Sequence, residues 1–261
     1  MNKVFWFAAL VLHIDIIDVA ISELPPPETA VTRESKPLPH WSYTGKTGPE
    51  HWGKIAKTCQ TGKQQSPIDI ITGKASQLDA IDWDYQPKYQ SIINNGHSIQ
   101  VTLQPGSEIE INDIDYELQQ FHFHSPSEHS VNGQPYPLET HFVHTDKKGN
   151  IAVVSVLFES GHANPALTAL WQTVPKQTGT KASLRTTKFK LKDLLPERKA
   201  YYHFKGSLTT PPCTEGVQWY VLQQPISASP EQIAAFKALL PHQHNNRPHQ
   251  ALNQRIISTS Q

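Results

Sequence analysis

Short runs of apolar and β-branched residues recur along most of the chain and are separated by turn residues. After the turn Asn94-Asn95-Gly96, the apolar residues Ile99, Val101 and Leu103 alternate with polar ones. Similar alternating or continuous runs occupy residues 108–118, 119–124, 139–145, 151–158 and 218–222. Strands this short, this numerous and this regularly punctuated are typical of a mainly β fold.

Two segments instead carry the start signals of helices. Asn164 precedes a proline and predicts the N-cap of a helix over Pro165–Val174. The sequence Ser229-Pro230-Glu231-Gln232 is a capping-box pattern before an apolar, helix-periodic run. We therefore expect a single domain over residues 40–261, built on a large, mostly antiparallel twisted sheet with a few short peripheral helices.

The N-terminal forty residues have a different composition. Lys3 is followed by a nine-residue apolar run, Val4 to Leu12, which has the length of a signal-peptide core and is too short to span a bilayer. Residues 21–39 are rich in Pro, Glu, Thr and Ser and indicate an extended linker. We predict a signal peptide over residues 1–20, no stable membrane span, and a periplasmic or secreted protein; the alternative is an uncleaved anchor or a misassigned start.

Charge and cysteine content narrow the possible functions of the 261-residue chain. Lys+Arg and Asp+Glu both total 23, so nothing indicates nucleic acid or an anionic membrane as a partner, and a small neutral substrate fits. The 14 histidines favour metal binding. Cys59 and Cys213 lie too far apart for a zinc-finger spacing. They are either free thiols or one disulfide, which export would favour.

The candidate metal chemistry begins at His122 and His124. On a strand these two side chains share one face, and the phenylalanines beside them point to the other. A loop with three prolines and an Asn-Gly pair then returns the chain to His141, which we expect to face the pair from a neighbouring strand. Three neutral imidazoles and one water form an open, catalytic type of zinc site. Five other histidines are expected to be surface or structural residues: His129, His144, His162, His203 and His242.

Further motifs carry a family resemblance. In order and spacing they resemble the alpha-class carbonic anhydrases of the exported bacterial type, over about His40 to Ile257. Some family members have Trp-Gly after the His-x-His pair, where this chain has Ser125-Pro126. The motifs are Gly48-Pro49-Glu50-His51-Trp52, Gln65-Ser66-Pro67-Ile68-Asp69-Ile70, Asn94-Asn95-Gly96-His97, Ser127-Glu128-His129, Ser207-Leu208-Thr209-Thr210-Pro211-Pro212 and Asn245-Asn246-Arg247-Pro248.

The resemblance implies reversible hydration of CO2 to bicarbonate and a proton, by attack of a zinc-bound hydroxide. It implies that Thr209 orients this hydroxide and that Glu128 accepts the proton of the Thr209 hydroxyl. His97 corresponds to the histidine that shuttles protons out of the site. The implied ligands of Zn²⁺ are His122, His124 and His141.

The resemblance also assigns the surroundings of the site. Gln120 and Glu139 correspond to hydrogen-bond partners of the ligand histidines, although the sequence leaves open which ring Glu139 serves. Cys59 and Cys213 correspond to a disulfide of exported members. The apolar wall that receives CO2 corresponds to Val143, Val153, Leu208, Val217 and Trp219. Polar positions that order water or border the substrate correspond to Tyr43, Asn95 and Thr210.

Three alternatives remain at this point. A cupin-type site would use Glu128 as a further ligand to iron or manganese, but it leaves the motifs around Thr209 and His97 unexplained. A binding module of the same fold would lack catalysis, although all the implied ligands are present. Ester hydrolysis is possible as a side activity of the same site. The oligomeric state is open, a homodimer included.

Overall fold

The computed structural model describes residues 40–71, 76–185 and 189–260. The predicted signal peptide and linker lie outside the described residues and stay predictions. Contacts along the chain group Leu38–Gln261 into one compact unit.

One large sheet dominates the described part of the chain. Its strands are β2 (Asp82–Tyr85), β3 (Lys88–Asn94), β4 (Ile99–Gln104), β5 (Ser107–Ile111), β6 (Ile114–His124), β9 (Leu138–Thr145), β10 (Ile151–Ser160), β11 (Lys181–Ser183), β12 (Tyr201–Ser207), β13 (Glu215–Leu222), β14 (Ile226–Ala228) and β15 (Ser258–Thr259). The order of neighbouring strands across the sheet is β11-β3-β4-β6-β9-β10-β13-β12-β15, with β5 beside β6, β2 beside β5, and β14 beside β10.

A small second sheet packs three short strands in the order β1-β7-β8. Most strand pairs in the molecule are antiparallel; β10 runs parallel to β13 and β14, and β1 runs parallel to β7. The short strands are β1 (Asp69–Ile70), β7 (Ser130–Val131) and β8 (Gln134–Pro135). The predicted mainly β, mostly antiparallel fold is confirmed.

The helices in the described ranges are short. Both predicted N-caps are present: the Asn164 side chain accepts from the backbone N–H of Ala166 and Leu167, and Ser229 forms a capping box with Gln232. The helices are α1 (Thr58–Thr61), α2 (Pro165–Thr173) and α3 (Pro230–Ala238), and 3₁₀ turns span Gly45–Thr47, Pro49–Lys54 and Leu191–Leu194. None of the helices in the described ranges is long and apolar enough to cross a membrane.

Strand alternation divides the core between the two faces of the sheet. On β10, Val154 belongs to the large cluster that also contains residues of α2 and α3, whereas Val153 belongs to a smaller cluster with Trp219. Phe121 and Phe123 are fully buried in the large cluster. The histidines that alternate with these two phenylalanines along β6 therefore point to the other face of the sheet, where the smaller cluster lies.

Candidate metal centre

The pairing of β6 with β9 brings the three predicted ligand histidines together. His122 lies directly opposite His141, and His124 lies opposite Glu139. The register between the two strands shifts at one irregularity, between Leu118 and Gln120. The ligand nitrogens of the three histidines all lie within 4.8 Å of one another, so the strand geometry converges them on one point.

Each of the three rings uses one nitrogen for a hydrogen bond that leaves the other nitrogen free. The Nδ1–H of His124 donates to the backbone oxygen of Asn245 at 2.7 Å. His122 Nδ1 lies 2.8 Å from Gln120 Oε1, and His141 Nε2 lies 2.8 Å from Glu139 Oε1. Since these acceptors fix the tautomers, the nitrogens that remain are Nε2 of His122, Nε2 of His124 and Nδ1 of His141.

The free nitrogens fit a zinc ion. His124 Nε2 is buried and has no hydrogen-bond partner among the described residues. Burial lowers the pKa of His122 well below 6.5, lowers that of His124 to about 4, and also lowers that of His141. The rings are therefore neutral at pH 7, the form that binds a metal. Three neutral imidazole nitrogens are the protein donor set of a catalytic zinc site, in which water is the fourth ligand.

Glu139 is the most heavily bonded carboxylate behind these ligands. Its Oε1 accepts from His141, from His129 Nδ1 at 2.7 Å and from the Ser155 hydroxyl at 2.5 Å. Its Oε2 accepts from the backbone N–H of Glu128 at 2.6 Å and of His129 at 2.9 Å. Burial acts to raise its pKa, but the two histidines and their hydrogen bonds outweigh burial and hold the pKa well below 4.5. Glu139 thus serves both rings, the point that the sequence left open.

Glu128 lies beside the free nitrogens. Its Oε2 is 3.5 Å from His124 Nε2 and 3.9 Å from His141 Nδ1, while Oε1 accepts from the backbone N–H of Arg247 at 2.9 Å. Burial raises the pKa of Glu128 to about 7, against the lowering effects of His141 and of a hydrogen bond from the Thr209 side chain. A divalent cation held by the three histidines would act against burial and lower this pKa.

An apolar wall lies on the same side of the sheet. Val153, Val217 and Trp219 are buried in the smaller cluster, and Val143 and Leu208 pack against it. The Trp219 ring lies 4.9 Å from the His141 ring, centroid to centroid. The five residues that the family resemblance assigned to the CO2 wall thus lie together, and Trp219 joins them to His141.

His97 lies on the turn between β3 and β4 and is about half-buried. Its ring stacks on Trp41 at 3.8 Å with an interplanar angle of 12°, and the Tyr43 ring is 6.4 Å away. Asn95 Oδ1 accepts from the backbone N–H of His97 and of Ser98, so this predicted polar residue also builds the turn. Burial, followed by the charge of His40, lowers the pKa of His97 below 6.5.

The loop that carries Thr209 and Thr210 is anchored by the disulfide between Cys59 and Cys213. The Cys213 backbone N–H donates to the Thr210 oxygen at 2.8 Å, and Gln65 Nε2 donates to the Cys213 oxygen at 3.0 Å. Thr209 is buried. The N-terminal part of the domain therefore holds this loop against the site.

Sequence reasoning missed one structural contribution to the centre. The Asn245–Pro248 motif supported the resemblance but received no role, yet Asn245 holds His124 and Arg247 holds Glu128. His129 was expected to be a surface or structural residue, and it is a structural one, because it is buried and hydrogen-bonded to Glu139. The motif itself was a signal for Asn245 and Arg247, but a backbone carbonyl or N–H that acts as the partner leaves no trace in side-chain chemistry.

The family comparison agrees with this geometry. The family model described as eukaryotic-type carbonic anhydrase matches residues 47–261. The chain belongs to the carbonic anhydrase family. Its members are lyases, and membership implies hydration of CO2. The cupin alternative is therefore wrong.

Similar proteins cover nearly the whole domain. A carbonic anhydrase of Pectobacterium carotovorum is 45% identical over 221 residues, which span 84% of this chain and 90% of the relative. The alpha-carbonic anhydrase of Thermovibrio ammonificans, solved with the inhibitor sulfanilamide, superposes with a TM-score of 0.82 at 42% identity, covering 85% of this chain and all of that one. Dioscorin complexed with ascorbate also superposes, with a TM-score of 0.79 at 31% identity over 85% of this chain and 98% of that one. Because one fold can carry different functions, the activity of this chain must be argued from its site.

Proposed function

We propose that the chain catalyses the zinc-dependent, reversible hydration of CO2 to bicarbonate and a proton. The observation that carries this proposal is the set of three imidazole nitrogens left free on one side of the sheet, each fixed in its tautomer by a hydrogen bond behind it. His122, His124 and His141 would hold the zinc ion. Zinc bound by three histidines lowers the pKa of a water ligand to about 7, and carbonic anhydrase is the standard example of this general value.

Thr209 and Glu128 would set the direction of attack. A hydroxyl has one proton to donate and two lone pairs that accept. When ionised Glu128 accepts the hydrogen bond that the Thr209 hydroxyl donates, the Thr209 oxygen can only accept a hydrogen bond from its second partner. Thr209 therefore favours a nucleophile that carries a proton, and it orients that nucleophile. The contact of Arg247 with Glu128 Oε1 supports this role, since it holds the carboxylate in place.

The apolar wall would receive the substrate. CO2 is apolar and gains little from polar partners, so the buried faces of Val153, Val217 and Trp219, with Val143 and Leu208 beside them, are a suitable surface for it. Thr210, which is partly exposed, would offer a polar contact at the edge of this surface. The same wall would release bicarbonate, since a charged product is poorly solvated there.

His97 would remove the proton that each turnover produces. Histidine titrates near neutral pH and is suited to proton transfer between a site and buffer. Its position on a turn, half-buried and stacked on Trp41, supports this role because the ring is both ordered and open to solvent. Tyr43 and Asn95 lie around it and would order the intervening water.

We further propose that the protein acts outside the cytoplasm. A disulfide persists in oxidising compartments such as the periplasm or the extracellular space, and the Cys59–Cys213 bond in the described domain fits that setting. Together with the apolar run near the N-terminus, it supports a periplasmic or secreted enzyme. Slow ester hydrolysis at the same centre would be a side activity.

The test is zinc content and CO2 hydration of the purified protein and two matched variants. We expect one zinc per chain and fast hydration in the wild type, and loss of both in His124→Ala. His162→Ala, which changes an exposed histidine, should retain both. Zinc binding unchanged in His124→Ala, or a folded zinc-loaded wild type without hydration activity, would contradict the proposal.

A further inference from the structure

A second cavity lies where β12 and β15 end the strand order of the large sheet, and no residue of the metal centre lines it. Its volume is about 730 Å³, which is within the range of about 300–1,000 Å³ that is usual for small-ligand sites. None of its lining residues in the described ranges carries a carboxylate. Its walls include three cationic side chains and three amides, which are Lys63, Lys205, Arg255, Gln64, Asn253 and Gln254.

The three positive charges in this cavity are not neutralised by ion pairs. Lys63 and Lys205 are exposed and Arg255 is partly buried, and within the described ranges none of the three forms an ion pair with a carboxylate. The charge of Glu215 acts on Arg255, but Glu215 does not line the cavity, and its Oε1 accepts from the backbone N–H of Gln64 at 2.6 Å. The cavity therefore keeps an excess of positive charge.

Backbone carbonyls hold the Arg255 guanidinium in place. Its Nε donates to the Leu252 oxygen at 3.0 Å, its Nη1 to the Lys205 oxygen at 3.1 Å and its Nη2 to the Ala251 oxygen at 2.8 Å. A guanidinium has five N–H donors, so one N–H on Nη1 and one on Nη2 remain for a ligand. Because the group is already ordered, an anion that binds it costs little further side-chain entropy.

The segments that carry the three cations are tied to one another. Asn253 adopts a left-handed backbone conformation, with φ of 54°, and its Nδ2 donates to the backbone oxygen of Lys63 at 2.6 Å. The bond from Arg255 to the Lys205 oxygen joins the same segment to β12. The fold thus holds three cations from three parts of the chain around one space.

The number of charges and donors favours a phosphate group over a carboxylate. A phosphate monoester carries about two negative charges near pH 7 and has three acceptor oxygens, whereas a carboxylate has one charge and two oxygens. Arginine is well suited to phosphate because its N–H groups are planar and fixed in direction. Three cations around one cavity match the doubly charged group.

We propose that this cavity binds a phosphate monoester through Lys63, Lys205 and Arg255. A soluble ester and the headgroup of a lipid present the same phosphate, so the site recognises this shared group. The inference does not depend on CO2 hydration, since no residue of the metal centre takes part.

The first experiment titrates glycerol 3-phosphate into the zinc-loaded full chain. Calorimetry gives the affinity, and the backbone amide signals of residues 253–256 in NMR spectra locate the site. We expect these signals to shift and saturate, and the affinity to fall as salt is added. The double variant Lys63→Gln, Lys205→Gln should weaken binding at this site by about tenfold or more, because it removes two charge-assisted contacts.

A second experiment distinguishes the two sources of the phosphate. Vesicles that contain phosphatidic acid, which carries a phosphate monoester, are sedimented with the protein, and pure phosphatidylcholine vesicles are the control. Binding of glycerol 3-phosphate without sedimentation identifies a soluble ester as the ligand. Sedimentation with phosphatidic acid that is lost in the Lys63→Gln, Lys205→Gln variant identifies a lipid headgroup.

A matched variant shows whether the effect is specific to the cavity. Lys148→Gln, Lys176→Gln removes two exposed lysines that do not line it and should bind both probes as wild type does; zinc content and thermal unfolding check that each variant is folded. The proposal is overturned if neither probe binds, or if both double variants weaken binding equally. It is also overturned if a peptide of consecutive glutamates binds and neither phosphate probe does, because the cavity would then recognise an acidic protein segment.

Discussion

The proposed role of Thr209 depends on Glu128, because the Thr209 hydroxyl can orient a nucleophile only if Glu128 accepts the hydrogen bond that the hydroxyl donates. We expect Thr209→Val, which keeps the shape and removes the hydroxyl, to lower kcat/KM for CO2 hydration by about 10²-fold, the usual cost of losing one oriented hydrogen bond at a reacting centre. Thr209→Ser retains the hydroxyl and should stay close to wild type. Equal activities of the valine and serine variants in stopped-flow assays would show that the hydroxyl is not used.

Substitution of Gln120 measures how much a hydrogen-bond acceptor of a proposed ligand histidine contributes to metal affinity. Its side-chain oxygen accepts from the Nδ1–H of His122 at 2.8 Å, and loss of such a partner typically weakens metal affinity by about 10- to 100-fold. Gln120→Ala should therefore weaken zinc affinity by at least about tenfold, measured by competition with a chelator. Gln119→Ala, at an exposed neighbour whose amide donates to Glu117, should leave zinc affinity unchanged, and an equal change in both variants would contradict this account.

At the scale of single residues, the sequence predicted side-chain chemistry better than partners. The structure brings the three proposed ligand histidines together, and Gln120 and Glu139 accept hydrogen bonds from two of them. The sequence could not show that Glu139 accepts five hydrogen bonds, because two come from backbone N–H groups and one from Ser155, on the next strand. Such contacts depend on the register between strands, which the local pattern does not contain.

At the scale of elements, alternation on β6 decides which side of the sheet carries the chemistry. Phe121 and Phe123 enter the large core cluster and thereby turn His122 and His124 to the opposite face. This much follows from the sequence, as do both helix N-caps. The irregularity between Leu118 and Gln120 was not predictable, since a one-residue shift of register depends on the partner strand β9.

Buried His144 on β9, which pairs with the partly buried Tyr85 of β2, predicts a pH dependence of stability. His144 lies 2.7 Å from the Tyr85 hydroxyl, and burial lowers its pKa to about 3. The unfolded chain takes up the proton near pH 6.5, before the folded protein does, so His144 stabilises the fold above that pH and this contribution is lost as the pH falls towards 3. The expected slope from this residue is about 1.4 kcal/mol per pH unit.

The measurement is chemical denaturation of zinc-loaded protein between pH 7 and pH 4. His144→Gln, which keeps an acceptor for Tyr85, should show a shallower fall in the free energy of unfolding than wild type. His162→Gln, at an exposed position, should retain the wild-type slope. A slope unaltered by His144→Gln would mean that the histidine is not held neutral in the folded protein.

At the scale of the whole molecule, the disulfide joins the N-terminal part of the domain to the loop of the site. It spans 154 residues of sequence, and closing a loop of that length stabilises the folded chain by roughly 5 kcal/mol in the chain-entropy view. The double variant Cys59→Ala, Cys213→Ala should lose most of this free energy of unfolding in guanidinium titrations. Because Thr209 lies four residues before Cys213, kcat/KM should fall as well.

Reduced wild-type protein provides the comparison for this variant. It should resemble the double variant in both the free energy of unfolding and kcat/KM, since the same link is absent. A double variant as stable and as active as the oxidised protein would contradict the view that the link holds the Thr209 loop.

The central claim is that three neutral histidines hold a zinc ion that the reaction requires. The most direct measurement is stopped-flow CO2 hydration with a pH indicator, on purified protein as isolated, after zinc removal by a chelator, and after zinc is returned. We expect fast hydration that disappears with the zinc and returns with one equivalent per chain. Hydration that persists in zinc-free, folded protein, or that is absent from the fully reloaded protein, would contradict the account.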